Sequence, residues 1–537
     1  MPNSNSVARQ ALVRPLSSKF KILNKSCAAA LFLSLHTLAH AASHQSQLPA
    51  EARALLNTYG GKITLDLVAA GALRSFDSYK AIQAAKPAVS APELQANAPL
   101  DTQLTAQAGR LVDTNEPQIP FSPSRTLSTQ ASVGLATQFS TGTRASFEIS
   151  HGNTEIGFAP GSFASPTSFF ETVGKFKLSQ SLWKDSFGKS TRLLREAGSQ
   201  TSLAAEAALT EATEEWMTGL FRVFYDAWLA QAQAQAADES LDRRERLLTI
   251  TQLKAKRGTA ARPELLQVES ATLSSRAQDD QAAQLLSDRW RALVIALKLP
   301  DEWLKIDPKM IPIELDTPGK SALSACAQRE KQAASELPQT STMKKFALQA
   351  DAAQKRYDQT SNLNSPDLSL NFGLETNGID TRDRSTTLTE VSSLDHPAWT
   401  LALQLTVPLQ RSVEKAVHLS ALSEQLRTEA LAAQARDQQR LDWLNACTDL
   451  ERLERSHLLL TQAFGNQLLR SQLEEQRFRV GETPTLAVIT AGDDTTSTQL
   501  SLQANDIQRR LAAWRVQRLE DGYQAYLTQL GQNKAQP

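Results

Sequence analysis

The chain offers few side chains whose spacing could support covalent chemistry. Five histidines (His44, His151, His396, His418 and His457) follow residue 41, and they are widely scattered. There is no phosphate loop, nucleophile elbow or zinc motif, so no enzyme, metal site or cofactor is expected. Cys326 and Cys447 show neither a CxxC nor a metal-ligand spacing, and the spacing leaves open whether they pair. Two glycine-centred stretches carry more information. KAKRGTAARPELLQVESA (Lys254 to Ala271) and RFRVGETPTLAVITAGDD (Arg477 to Asp494) each interrupt a long helical pattern that then resumes. A helix commonly ends on a residue of positive φ, which glycine adopts without steric cost. Gly258 with Thr259, and Gly481 with Glu482, are therefore the expected reversal points.

The elements that would position these turns are long. From Asp185 to about Lys256 there is no proline, and Leu209, Ala212, Trp216, Leu220, Val223 and Ala227 step by three and four, as in a coiled-coil seam. A run of that length extends roughly 105 Å at 1.5 Å per residue. A second run covers about Val413 to Arg479, where Leu450, Leu453, His457, Leu460 and Phe464 keep the same spacing. His457 reads as a seam position and not as a ligand. Shorter returning helices are predicted over Pro263 to Leu297 and Leu486 to about Leu527.

Strand-like segments precede each long helix. Val133, Leu135, Thr137 and Phe139 alternate with small or polar residues, as do Ala145, Phe147 and Ile149. TVGKFKLSQSLW follows a loop from His151 to Thr167. In the second half Leu368, Leu370, Phe372 and Leu374 alternate with polar neighbours, a loop runs from Glu375 to Asp395, and Trp399, Leu401, Leu403, Leu405 and Val407 alternate again. Runs of about ten residues, apolar on one face and polar on the other, suit a membrane barrel. They also suit a half-buried soluble sheet.

Composition narrows the class. The 57 basic and 57 acidic residues leave no net charge to recruit nucleic acid. Aromatics make up only 6%, which suits long exposed helices better than a thick core. Residues 1–41 read as a signal peptide: Arg9, Arg14, Lys19, Lys21 and Lys25, then the apolar run Ala28 to Leu38, then Ala39-His40-Ala41 as a small-x-small cleavage site. That run is too short to span a bilayer, which takes about twenty residues. The chain is thus expected to be exported, and any membrane crossing must use strands.

The order of elements occurs twice. Leu178 matches Leu405 and Leu182 matches Leu409, 227 positions apart, and Gly258 matches Gly481. Here the chain resembles the outer-membrane efflux protein family, typified by TolC. KLSQSLWKDSFGKSTRLLREA resembles that family's passage from a barrel strand into its first long helix, and TLDLVAAGALRSFDSYKAIQ its N-terminal helix. RGTAARPELLQVESA and RFRVGETPTLAVITA look like its two periplasmic tips, and SPDLSLNFGLE and LALQLTVPLQ like its third and fourth strands. The resemblance covers about Thr64 to Tyr526, with Ala84 to Ser128 and Pro312 to Met343 patterned loosely, as linkers.

The resemblance implies an α+β membrane protein with an internal two-fold repeat. It implies a homotrimer whose protomers each give four strands to one antiparallel barrel in the outer membrane, over coiled-coil hairpins that form a periplasmic α-barrel. It further implies an exit duct for efflux or type I secretion, served by an inner-membrane pump and a periplasmic adaptor that docks at Gly258, Thr259, Gly481 and Glu482. The expected organisation is a signal peptide (1–41), an N-terminal helical segment and linker (42–128), a first repeat (129–311), a connecting helical segment (312–364), a second repeat (365–527) and a polar tail (528–537). Such proteins often carry an acid six residues after each tip glycine, and in the second tip another at nine. Glu264 fills the first-tip position, Ala487 and Thr490 occupy the second-tip ones, and Asp493 and Asp494 follow about a turn later. These three acids are the candidates for lining the aperture. The rival reading is an exported coiled-coil scaffold or adaptor without a pore. It explains the hairpins but not the alternating strands.

Overall fold

A computed structural model describes residues 62–114, 123–158, 167–299, 301–316, 320–329, 338–363 and 365–533. The expected signal peptide lies outside them. The described strands form one antiparallel sheet in sequence order: β1 (Gln103–Asp113), β2 (Arg125–Gln138), β3 (Thr143–Gly157), β4 (Thr167–Ser181), β5 (Asp367–Asp380) and β6 (Pro397–Thr406).

The expectation of four strands is corrected to six. The block from Val133 to Ile149 is two strands, β2 and β3, reversed at Ser140–Gly142, where Phe139 N–H donates to Thr143 O and Gly142 has φ +74°. β1 lies inside the segment read as a linker. Its alternation of Leu104, Ala106 and Ala108 with Gln103, Thr105 and Gln107 is muted because alanines are weakly apolar and Arg110 interrupts it. The loops are correspondingly shorter: β3 runs to Gly157, and the helix α8 (Arg384–Ser393) stands between β5 and β6.

In the half of the sheet nearer the long helices the register sorts side chains between the two faces. Leu104, Leu135, Phe147, Phe176, Leu374 and Trp399 lie opposite one another in one row across all six strands. The next row on the other face holds Thr105, Gly134, Glu148, Lys175, Glu375 and Ala398. Since successive strand residues point to opposite sides, the sheet is apolar on one face and polar and charged on the other along this band.

Two helices dominate the rest. α4 (Lys189–Lys256) has 68 residues and α9 (Ser412–Val480) has 69, each about 100 Å long. Both are entered from a strand through a left-handed residue, Gly188 at φ 78° and Arg411 at φ 50°. α5 (Arg262–Ala296) returns along the far half of α4, and α10 (Thr485–Asp521) along the far half of α9. The near halves are covered by α7 (Ser341–Leu363), which packs against both long helices. Lys345 pairs with Glu211, Arg356 donates to Thr201, and Thr360 bonds His418. The segment expected merely to connect the repeats is thus part of the helical wall.

Around the middle of α4 sits a collar. The N-terminal helices α1 (Leu65–Ser75) and α2 (Asp77–Gln83) lie on α4, while α3 (Ala91–Asn97) packs nearer its start. Ile63 pairs with Ile313 in a short parallel bridge. Phe221, Phe224, Tyr225, Trp290, Trp303 and Tyr523 are buried together there. Burying each large side chain contributes about 1.5–3 kcal/mol. α6 (Lys320–Arg329) is tied to α9 by a Cys326–Cys447 disulfide, which answers the question the cysteine spacing left open. α11 (Gln524–Asn533) buries Tyr526 and Leu530 in the collar, so the expected polar tail is helical to residue 533.

Candidate functional site

The two glycine turns are built alike. At the end of α4, Gly258 has φ +73° and Thr259 N–H donates to Lys254 O at 2.9 Å. At the end of α9, Gly481 has φ +86° and Glu482 N–H donates to Arg477 O at 2.9 Å. A bond reaching back five residues over a left-handed glycine is the Schellman ending. The chain then restarts on Pro263 in the first turn of α5 and on Pro484 at the cap of α10, because proline fits where no intrahelical donor is needed. A Cβ at either glycine would meet nothing within 4 Å, so backbone conformation and not space requires glycine.

The fold brings both turns into one packed end. Lys254 Nζ donates to Phe478 O at 2.8 Å and lies 3.7 Å from the Phe478 ring centroid. Thr485 donates to Glu264 across the two hairpins. Leu247, Val268, Phe478 and Ile489 form a buried cluster behind them. Thr259 and Glu482 are at the surface, with Thr259 Oγ1 bonded to Lys254 O and Glu482 3.6 Å from Arg477.

The three candidate aperture acids all have partners within the chain. Glu264 accepts from Thr485, Asp493 pairs with Arg244, and Asp494 pairs with Arg470 at 2.9 Å. Arg244 is buried and also donates to Ile489 O at 3.2 Å. Asp493 therefore neutralises a buried guanidinium, which would otherwise be costly. Among the described residues no group of three or more His, Cys, Asp or Glu is placed to hold a metal ion.

Several functional candidates are not apparent in the sequence. Arg244 is one arginine among many in α4, and nothing local marks it as buried. Glu214 is another: it lies at the junction of α4, α7 and α10, accepts from Ser341, and stands 3.6 Å from Arg518. Burial holds its carboxyl above the usual range, against the hydrogen bond from Ser341 and the charge of Arg518. In the collar, burial likewise raises Asp316, which accepts from Tyr225 at 2.8 Å.

Among the described residues no helix is long and apolar enough to cross a membrane, whereas the sheet exposes a broad apolar face. On β6, Trp399, Leu401, Leu403 and Leu405 are 57–69% exposed, without cover from this chain. No family model matches the sequence, and no curated protein matches it. Solved structures do. The outer membrane protein VceC from Vibrio cholerae aligns at TM-score 0.62 with 13% identity, over 85% of this chain and 96% of its own. The Campylobacter jejuni CmeC outer membrane channel aligns at 0.60 with 12% identity, over 87% and 89%. The open-state Neisseria gonorrhoeae MtrE outer membrane channel aligns at 0.53 with 14% identity, over 85% and 88%. The chain has the fold of the TolC-like outer-membrane channels.

Within the TolC-like fold, the packed glycine turns form the end of the long helices opposite the sheet. The helices also leave apolar side chains uncovered. On α9, Leu419, Leu426, Leu458, Leu459 and Leu469 are 56–67% exposed along its length.

Proposed function

We propose that this protein is the outer-membrane exit duct of a tripartite efflux or type I secretion system, acting as a homotrimer. The observation that carries the reading is the sheet, with its continuous apolar row over six strands backed by a charged row. Its apolar band spans nine residues of β6 from Pro397 to Leu405, whose eight steps cover about 26 Å along the strand and about 20 Å in height at a tilt of 35–45°. Outer-membrane barrels carry an apolar band about 25 Å tall. A sheet with open edges cannot sit in lipid, so it must close with further copies. The exposed leucines of α9 then face neighbouring protomers in a hollow helical wall.

The duct is a two-fold internal repeat of strand, left-handed bend, long helix, glycine turn and return helix. Its paired turns dock the periplasmic adaptor through Gly258, Thr259, Gly481 and Glu482, and an inner-membrane pump delivers cargo. Residues 1–41 are removed on export. The scaffold reading is disfavoured, because a soluble scaffold has no use for a six-stranded sheet apolar on one side.

Purified protein reconstituted in a planar bilayer tests the proposal. Stepwise conductance, with a detergent-extracted particle of three chains, is the expected result. A water-soluble monomer without conductance would sink it.

A further inference from the structure

The sheet edges carry an inference that rests on the channel reading. We infer that each copy contributes six strands to the barrel wall, and that β6 of one copy pairs with β1 of the next. A trimer then closes an eighteen-stranded barrel in place of the twelve that four strands per copy would give.

The two free edges match. β1 and β6 are the outer strands of the sheet, with all ten residues of β6 and the first ten of β1 exposed. An even number of alternating strands makes β1 and β6 run oppositely, so a β6–β1 seam between copies is antiparallel, like every other pair in the sheet. Side-chain polarity also continues across that seam. Leu104, Ala106 and Ala108 of β1 share the apolar face with Leu401, Leu403 and Leu405 of β6. Gln103, Thr105 and Gln107 share the polar face with Thr400, Ala402 and Gln404. Side chains therefore stay on their proper sides when these edges join in matching register, whereas a one-residue slip would invert them.

The alternative leaves β1 and β2 outside a four-stranded unit, and the packing opposes it. β2 pairs with β3 over its whole length, Arg125 with Gly157 through Gln138 with Arg144. The β2–β3 turn is also seated on the bend that leads into α4. Gln180 Nε2 donates to Thr141 O at 3.0 Å and Arg192 Nη1 to Ser140 O at 3.4 Å. A Cβ on Gly188 would collide with Ser140 O, and one on Gly142 would stand 2.9 Å from Gly188 N. Two glycines meeting this closely hold the turn against the wall. The consequence is a wide lumen, because barrels of about 16–18 strands leave an open aqueous channel.

Electron cryomicroscopy of the full wild-type assembly counts the strands directly: eighteen are expected, and twelve overturns the inference. Cysteine pairs in native outer membranes give a second measure. Variants combining Thr105→Cys or Gln107→Cys with Thr400→Cys, Ala402→Cys or Gln404→Cys should yield two- and three-chain bands on oxidation. Ser146→Cys with Ala402→Cys, which reports a β6–β3 seam between copies, should not. Interchain bands only from the Ser146 pair would overturn the six-strand wall while leaving the channel standing. A wild-type protein without pore or trimer would instead remove the channel reading beneath it.

Discussion

Gly481 and Gly258 have left-handed backbones with open space where a Cβ would stand, so substitution there strains φ alone. A β-branched residue at that φ costs on the order of 1–3 kcal/mol, whereas asparagine tolerates it. Gly481→Val is expected to leave a trimer that extracts normally but to lose transport, while Gly481→Asn retains most of it. Dye-efflux assays beside trimer yield measure both, and full transport by the valine variant would remove the tip from the mechanism. Glu214 gives a pH signature. Its folded pKa lies above the unfolded value of 4.5, so its favourable contribution is complete below that value and lost as pH rises through the folded one. The thermal denaturation midpoint of the wild-type protein should therefore fall, relative to Glu214→Gln, as pH rises from about 4.5 towards neutrality. Parallel curves would contradict the assignment of a raised carboxyl.

At the scale of elements, the disulfide staples α6 to the long helix α9. The disulfide closes a separation of 121 residues, beside Trp443, Ala446, Leu450 and Val516. Constraining so long a loop in the unfolded chain stabilises by on the order of 2–4 kcal/mol. Cys326→Ser with Cys447→Ser should lower the denaturation midpoint without changing conductance. An unchanged midpoint would mean that the cluster holds unaided. The near halves of α4 and α9 show a limit of reading elements singly. A return helix of 35 residues, α5, cannot cover one of 68, and only the packing reveals that α7 completes the cover.

For the whole molecule, the decisive property is the separation of apolar and polar faces across the sheet. Leu403 stands on the apolar face, 65% exposed, near the middle of its band. Arginine at mid-bilayer on a lipid-facing strand costs about 2–4 kcal/mol. Leu403→Arg should therefore reduce the folded, membrane-inserted fraction several-fold, whereas Gln404→Arg on the neighbouring polar face should not. Heat-modifiable mobility of outer-membrane fractions on gels reads this directly, and equal insertion of the two variants would refute the face assignment.

Much of this architecture is determined by local chemistry. Helix period, the absence of proline and the need for positive φ at a turn act within a few residues. The two long helices, the turns at Gly258 and Gly481, and the alternation of β2, β3, β5 and β6 are therefore legible directly. What tertiary structure decided is non-local. β1 became a strand because β2 pairs with it, not because its alanine-rich alternation is strong. Glu264, Asp493 and Asp494 acquired partners 221, 249 and 24 residues distant. Cys326 found Cys447 only because α6 folds against α9. A sequence window records what each residue prefers. Which residue meets which across hundreds of positions depends on the loop closures and packing of the whole chain, and those contacts determine the strand count and the pairing of the charges.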